Sequence, residues 1–270
     1  MRAVRWFLCL LAFPTDALAW GLQTHVYFAH WLVLALPFAD PELRRVVARL
    51  PRLVLTGACL PDLALAGKML ATPAFRRAHN WSMLRRVAAA PRDDTELALA
   101  IGYASHLVSD VVAHNVFVPE HESRIARVRH VTHAVAEFAM DEHLGSGTRP
   151  PVCDLLRAAP VDFVARVFRC PPAIAARALS LLASADRTLR ASPLPRACRS
   201  IVARYYRDPG YRFDLYVAAV KARLGHLEAA LSGSFADWRD SDPEGRAGYG
   251  GADGSAGEDI ARIVQAKHHA

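Results

Sequence analysis

The chain reads as an all-α, multi-helix bundle, and three observations predict this. Ala, Leu, Arg and Val dominate, with little Thr and few alternating β-branched runs. Apolar residues recur at three- and four-residue spacing through long segments. Helix boundaries are written into the chain, with Asp or Asp-Pro at starts and Pro or Gly at stops. At 270 residues and 53% hydrophobic content, one substantial core can be buried in one main domain, residues 20–232.

In order along the chain, the pattern predicts a helix from Gln23 to Leu36, stopped near Pro37. Asp40-Pro41-Glu42 opens a short helix, Asp40 as N-cap and Pro41 at its first position. A loop or helix start at Thr56–Asp62 holds Asp62, and a basic helix is expected from Pro73 to residue 90. Asp93-Asp94-Thr95 caps a long helix reaching about Val118, where Pro119 is expected to interrupt it. Residues 121–144 form the next, ending at Gly145, and further helices are expected over 160–170, 172–188, 195–206 and 211–232. From residue 233 onward Gly, Asp and Ser take over, which predicts a disordered tail, 233–270.

Residues 1–19 have the layout of a secretory signal: Arg2 and Arg5, an apolar run over 6–13, then Ala17-Leu18-Ala19 as an A-x-A cleavage site. The expectation is a secreted or periplasmic chain whose first mature residue is Trp20. Cleavage removes Cys9 and leaves Cys59, Cys153, Cys170 and Cys198, which permit two disulfides in three connectivities or four free thiols. The formal charge of +7 fits arginine-rich solvated helix faces, or attraction to anionic phosphate substrates and membrane surfaces.

Within the apolar stretch Ala98–His114, His106, Asp110 and His114 stand four residues apart and share one helical stripe. Two imidazoles flanking a buried carboxylate are expensive to leave unpaired, and a cation satisfies all three together. A hydrogen-bonded core network is the bland alternative. His25, Asp62, His79, His133 and Glu137 enlarge the donor supply, and His133 and Glu137 are again four apart. Imidazole nitrogen with carboxylate oxygen, and no paired thiols nearby, suits Zn²⁺ in catalytic use. Eight such side chains exceed what one tetrahedral ion takes. Closely spaced ions are the hardware of phosphoester hydrolysis.

The ordered set Trp20-Gly21-Leu22-Gln23-Thr24-His25, Leu60-Pro61-Asp62, His79-Asn80-Trp81, His106-x3-Asp110-x3-His114 and His133-x3-Glu137 resembles the zinc-dependent phospholipase C family. That family includes bacterial phospholipases C and the catalytic domain of glycosylphosphatidylinositol-specific phospholipase D, and is related to single-strand-specific zinc nucleases. The resemblance covers roughly residues 20–145. It implies up to three Zn²⁺ ions. The amino group and carbonyl oxygen of Trp20, with His25, would hold one, and Asp110 would bridge to a second held by Asp62, His79 and His106. His114, His133 and Glu137 would hold the third. His133 rather than His130 is favoured as the partner of Glu137 because its spacing matches the family.

Two departures qualify the likeness. His114 follows Asp110 closely, as in the phospholipase D-like branch. The positions matching the choline pocket of the bacterial enzymes are Gln23, Leu63 and Arg76, in place of an acidic residue and two aromatics, so neither negative charge nor π-faces await a quaternary ammonium. The resemblance thus implies a phospholipid or glycolipid-linked phosphodiester as substrate, hydrolysed by metal-activated water, with Asp62 orienting or deprotonating that water and transient contact with a membrane surface. The rival expectations are a nuclease, with Phe28, Trp31, Trp81 and Tyr103 as platforms for bases, and a non-catalytic zinc-stabilised domain. His30, His121, His143 and His226 read as surface or supporting residues.

Overall fold

The computed structural model describes residues 21–89, 91–125, 129–145, 147, 149–233 and 242–244, with Arg129 and His130 described for their backbone alone. Among the described residues all regular structure is helical. The helices are α1 Leu22–Ala35, α2 Pro41–Arg49, α3 Pro51–Gly57, α4 Leu63–Met69, α5 Trp81–Ala88, α6 Asp94–Val112, α7 Val118–Arg124, α8 Arg129–Leu144, α9 Val152–Arg157, α10 Val161–Phe168, α11 Pro172–Arg190, α12 Leu194–Val202, α13 Pro209–Leu224 and α14 Leu227–Leu231. The signal segment, Trp20 and most of the tail lie outside the described residues.

The caps expected from the sequence are present. Asp40 accepts from Glu42 N ahead of Pro41, and Asp93 accepts from Glu96 N at the start of α6. Asp208, which the sequence reading passed over, caps α13 in the same way through Tyr211 N.

The long helix α6 is the axle of the fold: α1, α2, α3, α5, α13 and α14 all pack on it. Every residue from Ala98 to Val112 is buried. The stretch Asp94–Arg124 is apolar enough to cross a bilayer by length and composition, yet 89% of its window is buried inside this fold, as befits a core helix. α6 and α3 approach closely, where Gly102 faces Val54 and Ala58 while Gly57 faces Leu99. A Cβ at Gly102 would fall inside contact distance of backbone atoms, 2.8 Å from Ala58 N. Glycine is needed there so that the helix backbones can touch.

Two segments depart from the sequence reading. Pro119 does not interrupt the long helix. Ala113–Phe117 forms one π-helical turn in which Val118 N–H bonds to Ala113 O, and α7 continues directly with Pro119 in its first turn. The widened turn tolerates a proline whose missing N–H would leave a gap in an ordinary ladder. Nor is the stretch from Pro73 one helix. Residues 73–80 run as tight turns, and α5 starts only at Trp81, which places His79 and Asn80 ahead of its first turn. In the segment expected to be a disordered tail, Asp242–Glu244 is held against the body: Asn115 Nδ2 donates to Asp242 O and Asn80 Nδ2 to Glu244 Oε1, both at 2.9 Å, and Pro243 is buried. Cys59, Cys153, Cys170 and Cys198 are all free thiols.

Candidate metal centre

His25 leaves α1, Asp62 stands in the turn before α4, His79 in the turns before α5, and His106 and Asp110 lie one turn apart on α6. These five side chains, between 17 and 85 residues apart across elements, meet at one place in the core. His25 Nε2 lies 3.3 Å from Asp110 Oδ1, and His106 Nε2 lies 3.1 Å from Asp110 Oδ2. His79 Nε2 lies 3.4 Å from Asp62 Oδ1, 3.7 Å from Asp110 Oδ2 and 3.2 Å from His106 Nε2. Among the described residues, His25–His106–Asp110 and Asp62–His79–His106 form two groups whose donor atoms all lie within 4.8 Å of one another.

The hydrogen bonds behind the rings decide which nitrogens carry protons. Ser109 Oγ donates to His106 O at 2.7 Å, so toward His25 Nδ1, 3.0 Å away, it can only accept. His25 is therefore protonated on Nδ1. His106 Nδ1 faces Ala58 O at 2.7 Å and must likewise donate. In the neutral rings both Nε2 atoms then present lone pairs, and both face the Asp110 carboxylate. Neither oxygen of Asp110 makes a well-directed hydrogen bond, and the residue is fully buried. Acceptors aimed at acceptors in a dry core repel unless a cation lies between them. The stacking of His25 on His106, centroids 3.5 Å apart, argues against relieving this by charging both rings. A backing carbonyl or hydroxyl that fixes the tautomer is the usual support of a metal-binding imidazole. The donor set fits zinc.

Several ionisable groups in the centre are displaced from their ordinary ranges. Burial pushes the Asp110 carboxyl above the usual carboxylate range despite His106 and His79 beside it. Burial alone would pull His106 down, but Asp110 and Asp62 outweigh it and the imidazole sits above the usual histidine range. Glu137, 1% exposed, is raised well above its ordinary value by burial and by Asp62, Asp110 and Asp141. His114 is driven well below its ordinary value by burial and by His133, His79 and His106. Burial is the largest cause acting on all four groups.

His114, His133 and Glu137 lie beside this pair of groups but converge less tightly. The rings of His114 and His133 are 5.2 Å apart, and His133 Nε2 is 2.6 Å from Glu137 Oε1. His114 sits in the π-helical turn, so the stripe shared by His106 and Asp110 is rewound at this residue; such turns recur at functional sites. His130 is not described beyond its backbone, and Trp20 lies outside the described residues.

The three positions matched to a headgroup pocket differ in their surroundings. Gln23 is buried and donates from Nε2 to Gly145 O at 3.0 Å, and Leu63 is fully buried in the apolar core. Arg76 is exposed and lines a surface pocket with Arg77, Ser82 and Arg86. Of the four aromatics expected as base platforms, Phe28 and Tyr103 are fully buried, the latter donating its hydroxyl to Ala78 O, while Trp31 and Trp81 are half-buried. Sequence reasoning missed Ser109 and the Ala58 carbonyl behind the histidines. It also missed Asp141, although the four-residue step His133, Glu137, Asp141 was there to be followed.

A family model described as zinc dependent phospholipase C matches residues 24–166, more than half of the chain. No curated protein and no solved structure matches it.

Proposed function

The chain belongs to the zinc-dependent phospholipase C family, and we propose that it is an exported hydrolase that cleaves phospholipid or glycolipid-linked phosphodiesters. The observation that carries this is Asp110, a buried carboxylate whose two oxygens face imidazole lone pairs from α1 and α6. Bound zinc supplies charge to offset the phosphoryl oxygens and a water whose pKa is lowered toward neutrality.

His25, Asp62, His79, His106 and Asp110 would hold two adjacent ions, with His114, His133 and Glu137 as the ligands of a third. Trp20, freed by removal of residues 1–19, would add its amine to the ion of His25. Asp62, 3% exposed against 0% for Asp110, is the more exposed of the two aspartates in this ligand set, which supports giving it the role of orienting the attacking water or taking its proton. Ser109 and Ala58 O keep the His25 and His106 rings from turning as charge builds on the phosphoryl group. Ala100, Tyr103, Leu107 and Val108, which surround the ligands in the sequence of α6, are fully buried, so His106 and Asp110 stand on a helix closed to bulk water and their charges act at low dielectric.

Burial of Phe28 and Tyr103 removes two of the four platforms that a nuclease would use, which favours lipid over nucleic acid. The test is to incubate zinc-loaded protein with vesicles of phosphatidylcholine or phosphatidylinositol and, separately, with single-stranded DNA. Diacylglycerol released only in the presence of zinc supports the reading. Nucleotides released without diacylglycerol would replace it with the nuclease, and zinc uptake without any turnover would leave a non-catalytic zinc-stabilised domain.

A further inference from the structure

Beyond His133 and Glu137, α8 carries a second acidic residue on the same stripe. Asp141 is 2% exposed and reaches out of its own helix to the start of α1. Its Oδ1 accepts from Thr24 N at 2.9 Å and from Thr24 Oγ1 at 2.7 Å. Its Oδ2 accepts from Arg190 Nη2 at 2.8 Å, and Arg190 is itself braced by Asp186 at 2.9 Å. The N-cap of α1 is Gly21, which has no side chain with which to cap. A Cβ there would lie 2.5 Å from Asp141 Cγ, so the carboxylate rests directly on the Gly21 backbone.

Asp141 therefore supplies in trans the cap that Gly21 cannot. A carboxylate at a helix N-terminus meets first-turn N–H groups and the positive end of the helix dipole. Arg190 from α11 balances its charge in the dry interior, where an unpaired carboxylate would be costly. The residue thus ties three helices together at the point where the chain enters the metal centre: α1 with His25 next to Thr24, α8 with His133 and Glu137, and α11 behind them.

We propose that Asp141 is a positioning residue of the metal centre, fixing the entrance of α1 so that His25 is presented to zinc. This rests on the zinc reading above.

The experiment is a cycle of four proteins: the unaltered chain, Asp141→Asn, His25→Ala and the double variant. Zinc affinity is read by competition with a fluorescent chelator, without substrate. The expected result is a loss of at least tenfold for Asp141→Asn where His25 is present, and less than twofold where His25 is already replaced. Equal losses in both backgrounds would reduce Asp141 to a structural cap, and no loss in either would remove any role; both overturn the proposal. Should Asp141→Asn fail to fold, Thr24→Val is placed in the same two backgrounds. It removes one donor to Asp141, keeps every charge, and is expected to lower affinity only where His25 is present. No zinc uptake by the unaltered chain would overturn the zinc reading itself, and this proposal with it.

Discussion

Replacing Gly102 with alanine adds one methyl group where two helix backbones touch, and its effect can be worked through from the structure. The new Cβ would stand 2.8 Å from Ala58 N and closer still to the Val54 carbonyl. Both are backbone atoms of the α3 region and cannot rotate aside, so α3 and α6 must part by on the order of 1 Å. His106 lies one turn further along α6 and gives its Nδ1 proton to Ala58 O at 2.7 Å. Parting the helices stretches that bond toward the limit of a hydrogen bond. Overpacking costs about 1–3 kcal/mol, and a weakened buried hydrogen bond about 1 kcal/mol more. Alanine's better helix propensity returns about 1 kcal/mol. The net loss of roughly 2 kcal/mol should lower the melting temperature by about 4–8 °C for a domain of this size. The assay is thermal unfolding followed by circular dichroism in chelator, with zinc affinity measured in parallel. Since His106 belongs to both donor groups, affinity should fall as well. An unchanged melting temperature together with unchanged affinity would refute the claim that this helix contact sets the ligand geometry.

Asp110→Asn should abolish most of the zinc-induced rise in melting temperature, because it removes the carboxylate that faces His25 and His106 together. Melting curves with and without zinc check this, and an undiminished zinc-induced rise would count against Asp110 as a ligand. Glu137 holds its proton well above the usual glutamate range, and zinc must displace it, so apparent zinc affinity should fall as pH is lowered and fall less steeply in Glu137→Gln. Chelator competition at several pH values reads this slope; identical slopes would remove Glu137 from the ligand set. His121, fully buried with Nδ1 donating to Phe117 O at 2.8 Å, is lowered by burial to about 4. Its folded value lies below its unfolded one, so it contributes stability above about pH 6.5 that is lost as the pH falls toward 4, on the order of 3 kcal/mol in all. Urea unfolding at stepped pH should show that part of the acid limb flattened in His121→Gln.

The sequence made the helical architecture and most of the candidate ligands readable, because both are carried by local spacing. Asp93 before Glu96, and His106 before Asp110, are separated by one helical turn, and one-turn geometry follows from residue number alone. What stayed hidden is either non-local or without a residue signature. Asp141 meets Thr24 across 117 positions and Arg190 across 49, and nothing near any of the three announces the others. The π-helical turn at Ala113–Phe117 has no compositional marker, so Pro119 read as a break when it continues the helix. Residues 73–80 carry helix-forming arginine and alanine, yet tertiary contacts hold them as turns, which brings His79 to Asp62 and His106. Gln23 and Leu63 were matched by alignment to a headgroup pocket, and only packing revealed that both are spent on the interior.

Anomalous diffraction at the zinc edge, from crystals of the chain beginning at Trp20, puts the account to its most direct trial. It should show at least two adjacent zinc peaks, one among His25, His106 and Asp110 and another among Asp62, His79 and His106. Zinc-saturated crystals with no peak at Asp110, or with zinc only at surface histidines, would contradict it.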